Sequence, residues 1–171
     1  MGGMLELMMH CHYLFATDAV VLSMPEVTPP VVPGMEGCHW PFRKTNEAGR
    51  LQLAKMLLAG RPVKAAEALG WLVDRTGPQE SLLGEAWNLV NGDESIATRR
   101  PFEHEALPPI RFGAIDGLDH SDAQLEQARE AIRTTIKEAC GANLTDALRI
   151  QAEHSAAFMI SALCHKGVVG A

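Results

Sequence analysis

Hydrophobic and polar positions change rhythm several times along the chain. Residues 4–12 favour helix and are apolar apart from Glu6 and the closing histidines, with Gly2 and Gly3 leaving free N–H groups at the start. Val20 and Val21 predict a short strand over residues 19–22. The stretch "SMPEVTPPVVPGMEG" then brings Pro25, Pro29, Pro30, Pro33, Gly34 and Gly37, too many breakers for regular structure. It predicts a rigid, extended loop with Glu26 inside it. "NEAGRLQLAKMLLAG" predicts a helix stopped by Gly60, with Leu51, Ala54, Leu57 and Leu58 at helical spacing. "KAAEALGW" predicts a further short helix, and residues 72–74 a short strand or buried turn.

After Gly77 and Pro78 the pattern is helical only. "QESLLGEAWNLV" is one helix. "DAQLEQAREAIRTTIKEAC" is a second, with Leu125, Ala128, Ile132, Ile136 and Ala139 on one face and Gly141 as its stop. A third is predicted over residues 144–164, with Leu148, Ala152, Ser155 and Met159 as its stripe. The turn-rich linker "TRRPFEHEALPPIRFGAIDGLDH" is expected to wrap a surface.

Composition narrows the class. A chain of 171 residues with 47% hydrophobic and 21% charged residues is globular. Its net charge of -6, with scattered Lys and Arg, argues against a nucleic-acid groove, which needs a clustered cationic face. Cys11, Cys38, Cys140 and Cys164 show no paired short spacing, so reduced thiols and a cytoplasmic location are expected. The apolar opening lacks a cationic leader region and is interrupted by Glu6, His10 and His12, so no membrane span is expected. His10 and His12, at i and i+2, leave a helix in different directions and make no metal pair.

In order, "GGMLEL", "MPEV", "PGMEG", "MLLAGRPVKAAEAL" and "LVDR" resemble the second half of an enoyl-CoA hydratase/isomerase (crotonase) family protein. The family reads G-G-G-x-E-L, then a P-E-x-x-x-G-x-x-P-G-x-G-G loop, then L-x-x-T-G-x-x-x-x-A-x-x-A, then G-L-V-D. The resemblance implies an α/β chain: a partial crotonase-like β-β-α spiral core over residues 1–76, followed by a helical oligomerisation region over residues 77–171. It further implies an acyl-CoA substrate, no cofactor beyond the coenzyme A carried by that substrate, and a homotrimer or hexamer. In the family a strand and roughly 100 residues precede the opening helix, enough for a substantial part of a domain. The expectation is therefore a chain incomplete on its own, with another polypeptide as a possible partner for the missing half. The ending "HKGVVGA" is likewise a few residues short of the family's usual end.

The family's chemistry passes through a thioester enolate, so two N–H donors must meet a developing oxyanion. The resemblance gives one of them to the backbone N–H of Gly3. It matches Glu6 and Glu26 to the two catalytic carboxylates, 20 residues apart as in the hydratases. Between them such a pair holds the attacking water, Glu6 addressing the water and Glu26 the proton delivered to C2. Met4, Met24, Gly34, Glu36 and Trp40 are implied to line the substrate. Met4 stands where a third glycine is usual and Glu36 at another glycine position, which brings a third carboxylate to the loop. Cys38 has no His and acid in recognisable triad order. Hydration of a 2-enoyl-CoA is the leading expectation. A hydrolase or isomerase of the same family, and a non-catalytic oligomerisation or binding fragment, are the alternatives.

Overall fold

The computed structural model describes residues 1–115, 118 and 120–164; the "HKGVVGA" terminus, with the expectation attached to it, lies outside the described residues. The elements run α1 (Gly3–Met9), β1 (Phe15–Thr17), β2 (Val21–Leu22), α2 (Glu47–Ala59), β3 (Val63–Lys64), β4 (Arg75–Gly77), α3 (Gln79–Val90), α4 (Ala123–Cys140) and α5 (Leu144–Met159). This is a mixed α/β chain with little sheet. β1 and β4 pair in parallel, Ala16 opposite Thr76, while β2 and β3 pair antiparallel, Leu22 opposite Val63. A parallel pair requires a long crossover, and α2 lies within it.

Helix ends follow local chemistry. Asn46 Oδ1 accepts the Gly49 N–H at 2.9 Å to start α2, and Gly60, at φ 64, ends it. Asp122 accepts the Gln124 and Leu125 N–H groups to start α4, and Asn143 accepts that of Asp146 to start α5. Leu5, Met24, Phe42, Leu53, Leu57, Ile132 and Ile136 form the centre of one continuous core. α4 packs on α5, on α2 and on the Pro25–Val27 turn, so the C-terminal helices close over α2 and the proline-rich loop.

Four expectations need correction. The proline-rich loop is not extended throughout: Pro25–Val27 form a 3-10 turn, closed by Thr28 N–H donating to Pro25 O at 2.8 Å. Pro25 at the first position fixes the φ that such a turn needs. "KAAEALGW" is not a helix but a nest of turns, with Ala68 N–H bonded to Lys64 O and Leu72 N–H to Ala68 O. β3 takes its first residue, Lys64, and Gly70, at φ 83, breaks the run. β1 was not expected, and α1 stops at Met9.

The fourth concerns α5, which ends at Met159 and buries Ala147, Gln151, Ser155 and Phe158; Met159 is 56% exposed and Ala152 is also exposed. The buried stripe is rotated away from the most apolar one because the loop beneath it needs hydrogen-bond partners. Gln151 Nε2 donates to Pro33 O at 2.8 Å, Gln151 Oε1 accepts the Cys38 N–H at 3.1 Å, and Ser155 Oγ donates to Val32 O at 3.3 Å. Leaving those loop groups buried without partners would cost about 1–3 kcal/mol each, enough to decide the face.

Candidate active site

The proline-rich loop, held from behind by α5, folds over α1 and takes hold of its carboxylate. Glu6 is only 3% exposed, and its Oε1 accepts the N–H of Gly37 at 2.8 Å and of Met35 at 3.0 Å. The approach is so close that a Cβ on Gly37 would stand 2.8 Å from both Glu6 Oε1 and Met24 Cε. A side chain there would displace the Glu6 carboxylate and the Met24 methyl. Burial raises the Glu6 pKa and the two N–H bonds oppose that shift.

Glu26 comes from the 3-10 turn and approaches the glycines as well. Its Oε1 lies 3.1 Å from the point a Gly2 Cβ would occupy, and Glu6 Oε2 lies 4.0 Å from the corresponding point on Gly3. The two carboxylates thus flank the Gly2–Gly3 dipeptide. Glu26 Oε2 is buried without a hydrogen-bond partner among the described residues. Burial raises the Glu26 pKa, its own backbone N–H opposes this, and the charge of Glu6 adds to the rise. Gly2 sits at φ 57, with its N–H on Ser23 O at 2.9 Å. The next N–H, that of Gly3, has no intrahelical acceptor and donates to no backbone acceptor among the described residues.

Of the remaining sequence-predicted residues, Met24 is buried against Gly37, Gly34 is exposed beside Ser155, and Met4 is 63% exposed. Glu36 takes a left-handed backbone, φ 71, at the position where the family has glycine. Burial raises its pKa, and His10 opposes the shift from 3.7 Å. Trp40 belongs to a separate aromatic group: it stacks on His10 at 4.3 Å and meets Phe102 at 4.7 Å. It does not join the carboxylates directly.

His10 is the residue that sequence inspection passed over. Its Nε2 reaches Met35 O at 3.3 Å and Glu36 at 3.7 Å, so it clasps the loop whose N–H groups hold Glu6. Its spacing from His12 carried no such signal. Cys38 is fully buried, its thiol pKa pushed well up by burial and by Glu6, so it is chemically inert as a nucleophile.

His39 is also fully buried, with neither ring nitrogen bonded among the described residues, and burial together with Arg43 and His10 lowers its pKa to about 4. An unfolded histidine binds its proton near pH 6.5. As pH falls from 6.5 towards 4 the unfolded state gains a proton that the folded state refuses, so this contribution to stability is lost across that window. Urea unfolding at pH 7 and pH 4.5 should show His39→Leu losing less stability on acidification than the parent. An equal loss in the two proteins would contradict the buried neutral imidazole.

No protein-family model matches the chain. Individual relatives do. A probable enoyl-CoA hydratase of Mycobacterium bovis is 39% identical over 87 residues, 50% of this chain and 33% of that protein. A probable enoyl-CoA hydratase of Rhizobium meliloti is 37% identical over 99 residues, 57% of this chain and 36% of that protein. Among solved structures, a carnitinyl-CoA dehydratase from Mycobacterium thermoresistibile superposes with a TM-score of 0.63 at 19% identity, over 99% of this chain and 57% of that one. The fold is therefore a partial crotonase fold, in which a mixed α/β core and its helices correspond to about half of a solved family structure. Over the matched residues the chain is similar to proteins of the enoyl-CoA hydratase/isomerase family. It spans about a third of the length of the curated relatives it matches.

Proposed function

We propose that the chain carries the two-carboxylate part of an enoyl-CoA hydratase site, acting in water addition to a 2-enoyl-CoA. The observation that carries this reading is the pairing of a clamped carboxylate with an unpartnered one across Gly2–Gly3. With Oε1 fixed by two N–H groups, Glu6 has Oε2 left to accept a hydrogen bond from the attacking water. Glu26, its pKa raised by burial and by Glu6, supplies a proton to C2 from a buried oxygen with no competing partner. The Gly3 N–H serves the enolate oxygen. Gly34, Met24, Met4 and Glu36 edge the acyl thioester, and Trp40 lies further out.

The family's oxyanion hole needs a second donor, drawn from residues that precede this motif. Turnover on this reading requires a segment of that kind beside the 171 residues, and losing one such donor costs about 10² to 10³ in rate. Self-association through the α4–α5 region, where Met159 and Ile160 are 56% and 80% exposed, belongs to the same proposal. So does the division into a core over residues 1–76 and a helical part over residues 77–171.

Glu36 favours a second reading, an acyl-CoA hydrolase, because it adds a third carboxylate with a raised pKa beside Glu6. Product analysis separates the two. With crotonyl-CoA and a complementing family segment, hydration yields 3-hydroxybutyryl-CoA and releases no thiol; free coenzyme A as the main product would replace the hydratase reading with the hydrolase one.

A further inference from the structure

At the opposite end of α1 from the two glycines lies a second site, which the proposed chemistry does not use. A cavity of about 180 Å³ opens there, walled by Trp40 and Phe102 and edged by Lys44, Arg99, Arg100 and His104, with His10 and His12 at its margin. No carboxylate lines it, in a chain whose net charge is -6.

Two of its cations are fixed by backbone rather than by counter-ions alone. Lys44, only 8% exposed, donates to Met9 O at 3.1 Å and to Cys11 O, the carbonyls at the end of α1. An ammonium has three donors, so one is left. Arg100 donates to both Asp74 oxygens, to Trp71 O at 2.8 Å and to Leu72 O at 2.8 Å. Those four bonds leave one of the five guanidinium N–H groups, on Nη1. Arg99 is exposed and makes no hydrogen bond or ion pair among the described residues, so all its donors are available. Burial and then the Arg100 charge lower the Lys44 pKa, and Arg99 adds to this, while Asp74, which pairs with Arg100, opposes it.

We propose that this cavity binds a phosphate dianion, with spare donors of Lys44 and Arg100 preset and Arg99 closing from the surface. Preset cationic donors in a half-enclosed space suit a tetrahedral dianion better than a singly charged carboxylate, which can engage fewer of them. A cavity of about 180 Å³ that opens to solvent admits a phosphoryl group with space beside it. A phosphomonoester would therefore leave its organic part against Trp40 and Phe102, whose ring centroids are 4.7 Å apart. The site shares Trp40 and His10 with the surroundings of the proposed hydratase site, but none of Lys44, Arg99, Arg100 and Phe102 is assigned a role there.

The test is a 31P NMR titration of the full chain with inorganic phosphate and, separately, with AMP, using acetate as competitor. Saturable binding of either phosphate is expected, weakened about tenfold or more by Arg99→Glu through loss of a charge-assisted contact. His104→Ala, another exposed position, should weaken it less. Tighter binding of AMP than of inorganic phosphate identifies a monoester as the ligand, and equal or weaker binding identifies the free ion. Absence of saturable binding, unchanged affinity in Arg99→Glu with normal unfolding, or displacement by acetate at equal concentration would overturn the proposal.

Discussion

Glu26→Gln and Glu6→Gln should each lower hydratase turnover by about 10² or more, the range expected of groups that move a proton in the transition state. The two should differ in pattern. Gln at position 26 keeps the size of the side chain and places an amide where an unpartnered carboxyl oxygen stands, so chemistry is lost while thioester affinity is kept. Gln at position 6 also changes a carboxylate that accepts the Met35 and Gly37 N–H groups, so the loop itself is loosened. Glu6→Gln should therefore raise KM as well as lower kcat, and Glu26→Gln should act on kcat. Steady-state kinetics on a complemented sample decide this, and near-full turnover in either variant would reject the assigned roles.

The largest effect on stability is expected at Arg43. This residue is 1% exposed and its guanidinium donates to Glu103 O, Glu105 O, Ala139 O and Ala142 O, joining the 103–105 strap to the C-terminal end of α4. Arg43→Met would keep much of the apolar stem and leave those carbonyls without their donor. The loss should be roughly 3–5 kcal/mol, since buried acceptors left unpaired are costly and bonds to charged donors are among the stronger ones. Arg43→Lys should recover only part of it, because an ammonium cannot span four carbonyls in the plane of a guanidinium. Urea unfolding of the three proteins measures this. A loss below about 1 kcal/mol in Arg43→Met would mean that the strap is held by other contacts.

These two sites show what the sequence revealed and what it concealed. Glu6 and Glu26 stand out by motif spacing, and the helices α2 and α4 because caps and apolar periodicity agree there, whereas α3 has no side-chain cap and buries only Leu89. Arg43, Lys44 and Arg100 were not legible, since a basic residue in a turn-rich segment normally faces solvent. Their burial depends on backbone carbonyls brought in from residues 103–142, 9–11 and 71–72. The face of α5 was misjudged for a related reason. Apolar spacing pointed to Leu148, Ala152, Ser155 and Met159, of which Ser155 is buried, whereas the loop over residues 32–38 required Gln151 beside Ser155 rather than the exposed Ala152 and Met159. Periodicity reports transfer of side chains from water and carries no record of which distant backbone groups need partners.

Glu36 lies between these cases. Its place at a family glycine was visible in the sequence, and the structure shows the consequence, a non-glycine residue at φ 71 with its carboxylate near His10. A left-handed conformation at such a residue costs of order 1–3 kcal/mol unless its surroundings compensate. The His10 contact and the backbone N–H bonds of His39 and Trp40 to Glu36 O, at 3.2 and 2.9 Å, compensate for it. Both also keep the loop against Glu6.

The central claim is that Glu6 and Glu26 supply the water and proton steps once an oxyanion donor is provided. The most direct test is the rate of crotonyl-CoA hydration by the purified 171-residue chain, alone and with the N-terminal half of a related hydratase, each repeated with Glu26→Gln. The account predicts negligible turnover by the chain alone, turnover on addition of the complementing half, and its loss in Glu26→Gln. Robust hydration by the isolated chain, or complemented turnover that survives Glu26→Gln, would contradict it.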